Sequence, residues 1–175
     1  MEIWKRSEVV YTGRIVTLRT GAVTLDDGSL AQREVVEHNG GVGVVPYHDG
    51  KVILVRQFRI AVGHEVLELP AGCLEGDEDP AYRAARELEE ETGHRAGRLL
   101  PMGRYYCSPG FTNEADYLFL ALDLVKTEQA LEFDERLELV EMSLADVRKG
   151  LETCGFHDMK TALGLRLLLD YLARM

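Results

Sequence analysis

The chain has 175 residues, enough for one domain with an elaborated end and for a core that needs no disulfide or metal staple. Its composition, 46% hydrophobic and 29% charged, is that of an ordinary globular protein. A net charge of −10 makes a nucleic-acid duplex a poor partner, because duplex binding needs a basic face. The three cysteines, Cys73, Cys107 and Cys154, are odd in number and lack metal-ligand spacing, which argues against a disulfide framework or a zinc site and for a reducing, cytoplasmic compartment. No apolar run approaches the roughly 18–20 residues of a membrane span, and the first six residues lack the apolar region of a secretory signal.

In chain order, residues 9–11 and 14–18 read as short strands around Thr12-Gly13. Residues 22–25 and 31–37 flank the turn signal Asp26-Asp27-Gly28-Ser29. Residues 42–47 and 51–58 flank a second one, His48-Asp49-Gly50. The run 52–55 is apolar on both faces and belongs in the middle of a sheet. A further strand covers 66–69. A Gly- and acid-rich loop, 71–79, leads to Asp79 as N-cap, Pro80 at the first helical position and Gly93 as C-terminal cap, which predicts a helix of about 13 residues. Strands follow at 99–107, 117–124 and 137–142. Ser143 with Asp146 forms a capping box for a short helix, and Asp158 or Thr161 starts a last helix with Ala162, Leu165, Leu169 and Leu172 inward. This order predicts an α+β fold. Residues 1–38 form an N-terminal β subdomain suited to pairing with a second subunit, and residues 39–175 form the main domain.

The mid-chain helix breaks the rules of helix design. Its apolar stripe should be Ala81, Ala84, Ala85, Leu88 and Thr92. Glu87 stands three and four residues before Glu90 and Glu91, so the carboxylates stack on one face, where like charges repel. The last turn is already the negative end of the helix dipole, and a further acid there is unfavourable. A local conflict without local compensation points to a functional site, the alternative from spacing alone being a solvated acidic face. Clustered hard oxygen ligands suit Mg²⁺ or Mn²⁺, and Mg²⁺ commonly takes substrate phosphates as its remaining ligands. Such ions let an acidic protein accept an anionic diphosphate.

The surrounding spacing is more specific. Gly72 is followed by five residues, Glu78, seven residues, and Arg86-Glu87-Leu88-Glu89-Glu90-Glu91-Thr92-Gly93. This resembles the Nudix box, G-x5-E-x7-R-E-U-x-E-E-x-G-U, with U a bulky aliphatic. All seven fixed identities are present; chance gives on the order of 10⁻⁸ per window at average residue usage. His94 stands where the final aliphatic is expected. The resemblance implies a Nudix-like α/β/α sandwich with a mixed central sheet and an N-terminal antiparallel β extension. It also implies hydrolysis of a nucleoside diphosphate linked to another moiety, with two or three Mg²⁺ (or Mn²⁺) ions held by Glu87, Glu90, Glu91 and the Ala71 carbonyl. In the box, Arg86 and Glu78 would form a structural ion pair, Gly72 would permit a tight turn, and Gly93 would close the helix.

Four further stretches resemble the ADP-ribose pyrophosphatase (ADP-sugar diphosphatase) group: residues 34–38, 55–59, 68–72 and 108–114, with Pro109 sixteen residues past Gly93. This implies Mg²⁺-dependent cleavage of ADP-ribose to AMP and ribose 5-phosphate by a homodimer. Arg56 and Arg59 end a strand beside the box and suit diphosphate oxygens. Being three apart they face opposite ways, so one of them reaches substrate, and Arg59 is favoured over Arg56; the alternative for either is an ordinary edge ion pair. Glu34, with Arg33 or Gln32, would meet adenine from a partner subunit. Glu114, with Ser108 nearby, would meet the terminal ribose. A loop acid, Glu135 ahead of Glu132, would be the general base. His38, His64 and His157 read as surface or packed histidines, and Cys73 and Cys107 as spectator thiols. Two rival readings are a pyrophosphatase for another nucleotide sugar or dinucleoside polyphosphate, and a sensor that binds ADP-ribose without cutting it.

Overall fold

Turn chemistry sets the first strands. In the computed structural model, which describes residues 1–133 and 135–175, β1 (Ile3–Thr12), β2 (Thr17–Thr24) and β3 (Leu30–Glu37) form an antiparallel sheet in that order. The Asp27 carboxylate caps the β2–β3 turn by accepting from the Ser29 amide at 2.9 Å, and Gly28 supplies the positive φ of 81°. The sequence reading splits β2 into two pieces, whereas one strand runs through. Gly21 is not a break but a close-approach point: a Cβ there would lie 2.2 Å from the Arg6 carbonyl oxygen on β1. This sheet belongs to a unit made of Met1–Gly40 and Tyr105–Asp116. Within it, the Val36 amide donates to the Phe111 carbonyl and the His38 amide to Asn113 Oδ1, both at 2.8 Å.

The second unit comprises Gly41–Arg104 and Tyr117–Met175. Asp49 (φ 48°) and Gly50 (φ 76°) close a tight hairpin between β4 (Gly41–His48) and β5 (Lys51–Arg59). β6 (His64–Glu68) pairs with β5. β7 (Ala71–Cys73), a three-residue strand inside the expected loop, pairs with β4. With β8 (His94–Tyr106), β9 (Ala115–Lys126) and β10 (Leu137–Ser143), the mixed central sheet runs β10-β5-β4-β9-β8. Helices α1 (Pro80–Thr92), α2 (Leu144–Glu152) and α3 (Met159–Leu172) complete the α+β fold.

The alternation of β4 places the helices. Val42 and Val44 pack with Ala84 and Leu88 of α1 and with Phe119 and Ala121 of β9. The opposite face carries Gly43 and Val45. A Cβ on Gly164 of α3 would lie 3.0 Å from Val45 and 2.7 Å from Leu69, so this glycine brings α3 close to the sheet. The result is a sheet between α1 and α3, the expected α/β/α sandwich. Asp79 Oδ1 accepts from the amides of Ala81 and Tyr82, both at 2.9 Å, and Gly93 (φ 65°) ends α1 by donating to the Glu89 carbonyl. Asp158 caps α3 through the Thr161 amide at 3.0 Å. Both α1 boundaries follow the sequence reading. Among the described residues, no helix is long and apolar enough to cross a membrane.

Candidate active site

The face that α1 buries differs from the one expected. Ala84, Leu88 and Thr92 are inside, but Ala81 and Ala85 are exposed, and their places are taken by Arg83, Glu87 and Glu91. Alanine is small enough to be indifferent, so the larger side chains and the local space decide the rotation. The space is supplied by Gly72. Its φ is not positive, so it is not needed for a tight turn. A Cβ at this position would instead fall 2.0 Å from Glu87 Oε1, so only glycine leaves room for that carboxylate.

Glu87 and Glu91 are only 4% and 3% exposed. Burial pushes the Glu87 carboxyl up to about 7; Arg83 opposes this, while Glu90, Glu135 and Glu132 add repulsion. Burial likewise pushes Glu91 up to about 8, reinforced by the Glu87 charge and opposed by the Ala71 N–H, which donates to Glu91 Oε2 at 3.0 Å. The Gln129 side chain donates to the Glu91 carbonyl at 2.6 Å, and the Ala130 amide to the Glu90 carbonyl at 2.9 Å. These bonds tie the segment leading to Glu132 and Glu135 onto the end of α1. Glu135 Oε2 accepts from the Glu132 amide at 2.8 Å, and its charge acts on both Glu87 and Glu91. Asp134, in the same loop, lies outside the described residues.

Arg86 does not pair with Glu78 as expected. It reaches Glu90 at 2.8 Å, its i,i+4 neighbour on the helix, while Glu78 Oε2 accepts from the Glu75 amide at 3.5 Å. Glu90 is thereby drawn toward the solvent side of α1. Among the described residues, the one trio of His, Cys or acids with ligand atoms all within 4.8 Å is Cys107, Glu114 and Asp116, so Glu87, Glu90 and Glu91 are not gathered that tightly. His94, in place of the final aliphatic, is half-buried with Nδ1 2.8 Å from the Thr92 carbonyl oxygen.

The two strand arginines diverge. Arg56 pairs with Glu138 on β10 at 3.1 Å. Arg59 forms a fork on Glu68, at 2.7 and 3.0 Å, and also feels the Glu91 charge. Burial alone would raise the Glu68 carboxyl; Arg59 and Lys160 together hold it below its ordinary value. Lys160 Nζ sits 2.6 Å from Glu68 and 3.1 Å from Asp158, and the Leu69 amide donates to Thr161 Oγ1 at 2.8 Å. Thus α3 braces the strand end that carries Arg59 and the segment that carries Ala71. Sequence reasoning missed Arg83, Gln129, Lys160 and Thr161 as parts of this frame. Arg83 could have been found, since it stands four residues before Glu87; the other three carry no signal outside the folded chain.

Glu34, Ser108 and Glu114 belong to the first unit. Glu34 is exposed on β3, opposite Thr20. The Ser108 carbonyl accepts from the Phe111 and Thr112 amides in a tight turn. Glu114 Oε1 lies 3.8 Å from Nδ1 of His38, a largely buried ring that also accepts from the Gly40 amide.

The donor set around α1 fits a hard divalent cation. It consists of two buried, mutually repelling carboxylates, Glu87 given room by Gly72 and Glu91 held by the Ala71 amide, with the charge of the loop acid Glu135 acting on both. The family model for the NUDIX domain matches residues 37–160. The chain belongs to the Nudix family. It is 40% identical over 164 residues to the ADP-ribose pyrophosphatase of Bacillus subtilis, covering 92% of this chain and 89% of that protein. It is 35% identical over 166 residues to the methanol dehydrogenase activator of Bacillus methanolicus, covering 93% and 90%. A solved ADP compounds hydrolase has the same fold, with a TM-score of 0.87 over 98% of this chain and 94% of that one at 23% identity.

Proposed function

We propose that this Nudix protein hydrolyses the pyrophosphate bond of ADP-ribose, and of related ADP-sugars, to AMP and the sugar phosphate, with Mg²⁺ as cofactor. The observation that carries the reading is the pair of buried carboxylates, Glu87 and Glu91, both acted on by the charge of the loop acid Glu135 and the second also by Arg59. The similarity to ADP-ribose pyrophosphatase over nearly the whole chain supports the choice of substrate. The complete set of box acids favours an enzyme over a silent sensor.

Glu87, Glu90 and Glu91, with the Ala71 carbonyl, would hold two or three divalent ions. Bound there, such ions supply Lewis-acid neutralisation of the diphosphate and lower the pKa of water. The remaining work falls to side chains. Glu135, with Oε2 fixed by the Glu132 amide, takes the proton of the attacking water on its other oxygen. The new P–O bond forms as the bridging P–O bond breaks, and the proton ends on the leaving phosphate. Arg59 orients diphosphate oxygens, and Glu68 and Lys160 hold its guanidinium in place. Arg56, engaged with Glu138, serves as an outer electrostatic contact. Glu34 recognises adenine, and Glu114 with Ser108 the terminal ribose. The exposed apolar side chains of the first sheet, Ile3, Trp4, Val9, Val10 and Tyr11, support a homodimer. The odd number of cysteines, three in the chain, fits a cytoplasmic setting.

The test is a substrate panel of ADP-ribose, ADP-glucose, GDP-mannose, NADH and diadenosine polyphosphates, with Mg²⁺ or with EDTA, read as AMP released. ADP-ribose should be turned over best and only with the metal. Preference for a guanine sugar or a dinucleoside polyphosphate would reassign the substrate, and no turnover of any member would return the chain to the sensor reading.

A further inference from the structure

Arg83 has no part in the Nudix box; it falls among the seven unassigned positions between Glu78 and Arg86. Yet it is 7% exposed, and its Nη2 lies 2.5 Å from Glu87 Oε1, one helical turn away. Its other carboxylate, Glu75, is exposed and 3.8 Å distant. Among the described residues, its buried Nε has no hydrogen-bond partner. A buried cation with an unsatisfied donor is a costly way to fill space, so its role lies in the one contact it makes closely.

That contact is one-sided. Glu87 Oε1 is wedged between the Gly72 backbone and the guanidinium. A metal ion would be met by the second oxygen, Oε2. The other box acids are served differently. Glu90 is paired by the half-exposed Arg86, a contact that solvent can replace, and Glu91 leans on the Ala71 N–H. Among the described residues, Glu87 is the box acid in direct contact with a buried guanidinium; Arg59 acts on Glu91 without pairing with it.

We propose that Arg83 is a resident countercharge that positions Glu87 and lowers the affinity of the site for divalent cations. The inference rests on the metal-binding reading above. Its physical basis is Coulombic: an ion joined to Glu87 lies within a few ångströms of a guanidinium that water cannot screen well. Removing the charge therefore tightens metal binding, whereas a residue that only filled space would leave it unchanged. Arg83 is thus a positioning residue that sets how much cation the enzyme needs.

The test is calorimetric titration with MgCl₂ alone, at pH 8.5 so that the raised carboxyls are largely ionised, on the wild type, Arg83→Gln and Arg83→Lys, with circular dichroism to confirm folding. Arg83→Gln should bind Mg²⁺ on the order of tenfold tighter, and Arg83→Lys should return near the wild-type value. Equal or weaker binding by folded Arg83→Gln overturns the proposal. If that variant does not fold, the Arg83 Nε–H resonance of the wild type decides: it must shift as Mg²⁺ saturates the site, and an unmoved resonance overturns it. Mg²⁺ uptake by Arg83→Gln but not by the wild type supports the countercharge. Uptake by neither variant nor wild type removes both the countercharge and the metal-binding reading. A wild type that binds Mg²⁺ with Arg83→Gln unchanged removes the countercharge alone.

Discussion

Helices α1 and α3 make an instructive pair. Both start at an aspartate cap, both pack on β4, and they cover opposite faces of one sheet. Helix α3 buries Thr161, Gly164, Leu165, Leu168 and Leu169, the face that packing alone would choose. Helix α1 buries Arg83, Glu87 and Glu91 among Ala84, Leu88 and Thr92. Buried charge is weak evidence for stability, since apolar replacements of similar volume are often neutral or better. The difference teaches that the sheet is held by α3 and by the apolar half of α1, while the acidic half of α1 is kept for chemistry.

Exchanging the roles should separate the two. Glu91→Gln should lower turnover by at least about 10²–10³-fold, while the thermal midpoint measured in EDTA stays level or rises. Leu168→Ala, on the matching face of α3, should do the reverse: a loss of roughly 2–5 kcal/mol by urea unfolding, with turnover per folded molecule retained. A large activity loss in Leu168→Ala at full folding would blur the comparison.

Gly72→Ala probes the same acidic face from the strand side. The added methyl has no room beside Glu87 Oε1, so the carboxylate must swing away. Mg²⁺ affinity and turnover should fall together, with a smaller loss of stability. An alanine variant with wild-type Mg²⁺ affinity would show that the space is not needed.

The pH dependence of stability gives a third contrast. Glu87 and Glu91 ionise near 7 and 8 in the folded chain and near the ordinary carboxylate value when unfolded. Between about pH 4.5 and these values the folded state binds more protons, so stability contributed by these groups falls as pH rises and levels off above pH 8. In EDTA the wild type should therefore lose stability from pH 5.5 to pH 8.5, and Glu87→Gln or Glu91→Gln should flatten that slope. An unchanged slope in both variants would contradict the burial argument.

The caps give the smallest effect. Asp79→Ala should cost about 1 kcal/mol, the usual value of an N-cap. Asp158→Ala should cost more, because Asp158 also holds Thr161 Oγ1 and Lys160. Equal losses in urea unfolding would mean that the Lys160 network adds nothing.

The same contrast explains what a linear chain reveals. Asp79, Pro80 and Gly93 fix α1 through rules that act within one turn, so its ends could be read directly. The box acids could be read because their spacing is itself the signal. What the chain hid were contacts made at long range. Gly72 reads as a turn residue, yet its role is to admit Glu87 fifteen positions later. Gly21 falls in the gap between the strands expected at 14–18 and 22–25, yet it lies inside β2 and admits the backbone of β1. The alanines of α1 gave the wrong face because they are too small to report burial. Arg86 found Glu90 rather than Glu78 because a neighbour on the same helix is already at hand. Lys160 and Thr161 matter only once α3 meets Glu68 and Leu69.

The most direct test is Mg²⁺ uptake by the α1 carboxylates, measured by titration calorimetry on the wild type and on the Glu87→Gln/Glu91→Gln double variant, with and without AMP. Saturable uptake by the wild type, abolished in a folded double variant, is the predicted result. Undiminished uptake in the double variant, or none by the wild type even with AMP bound, would contradict the account.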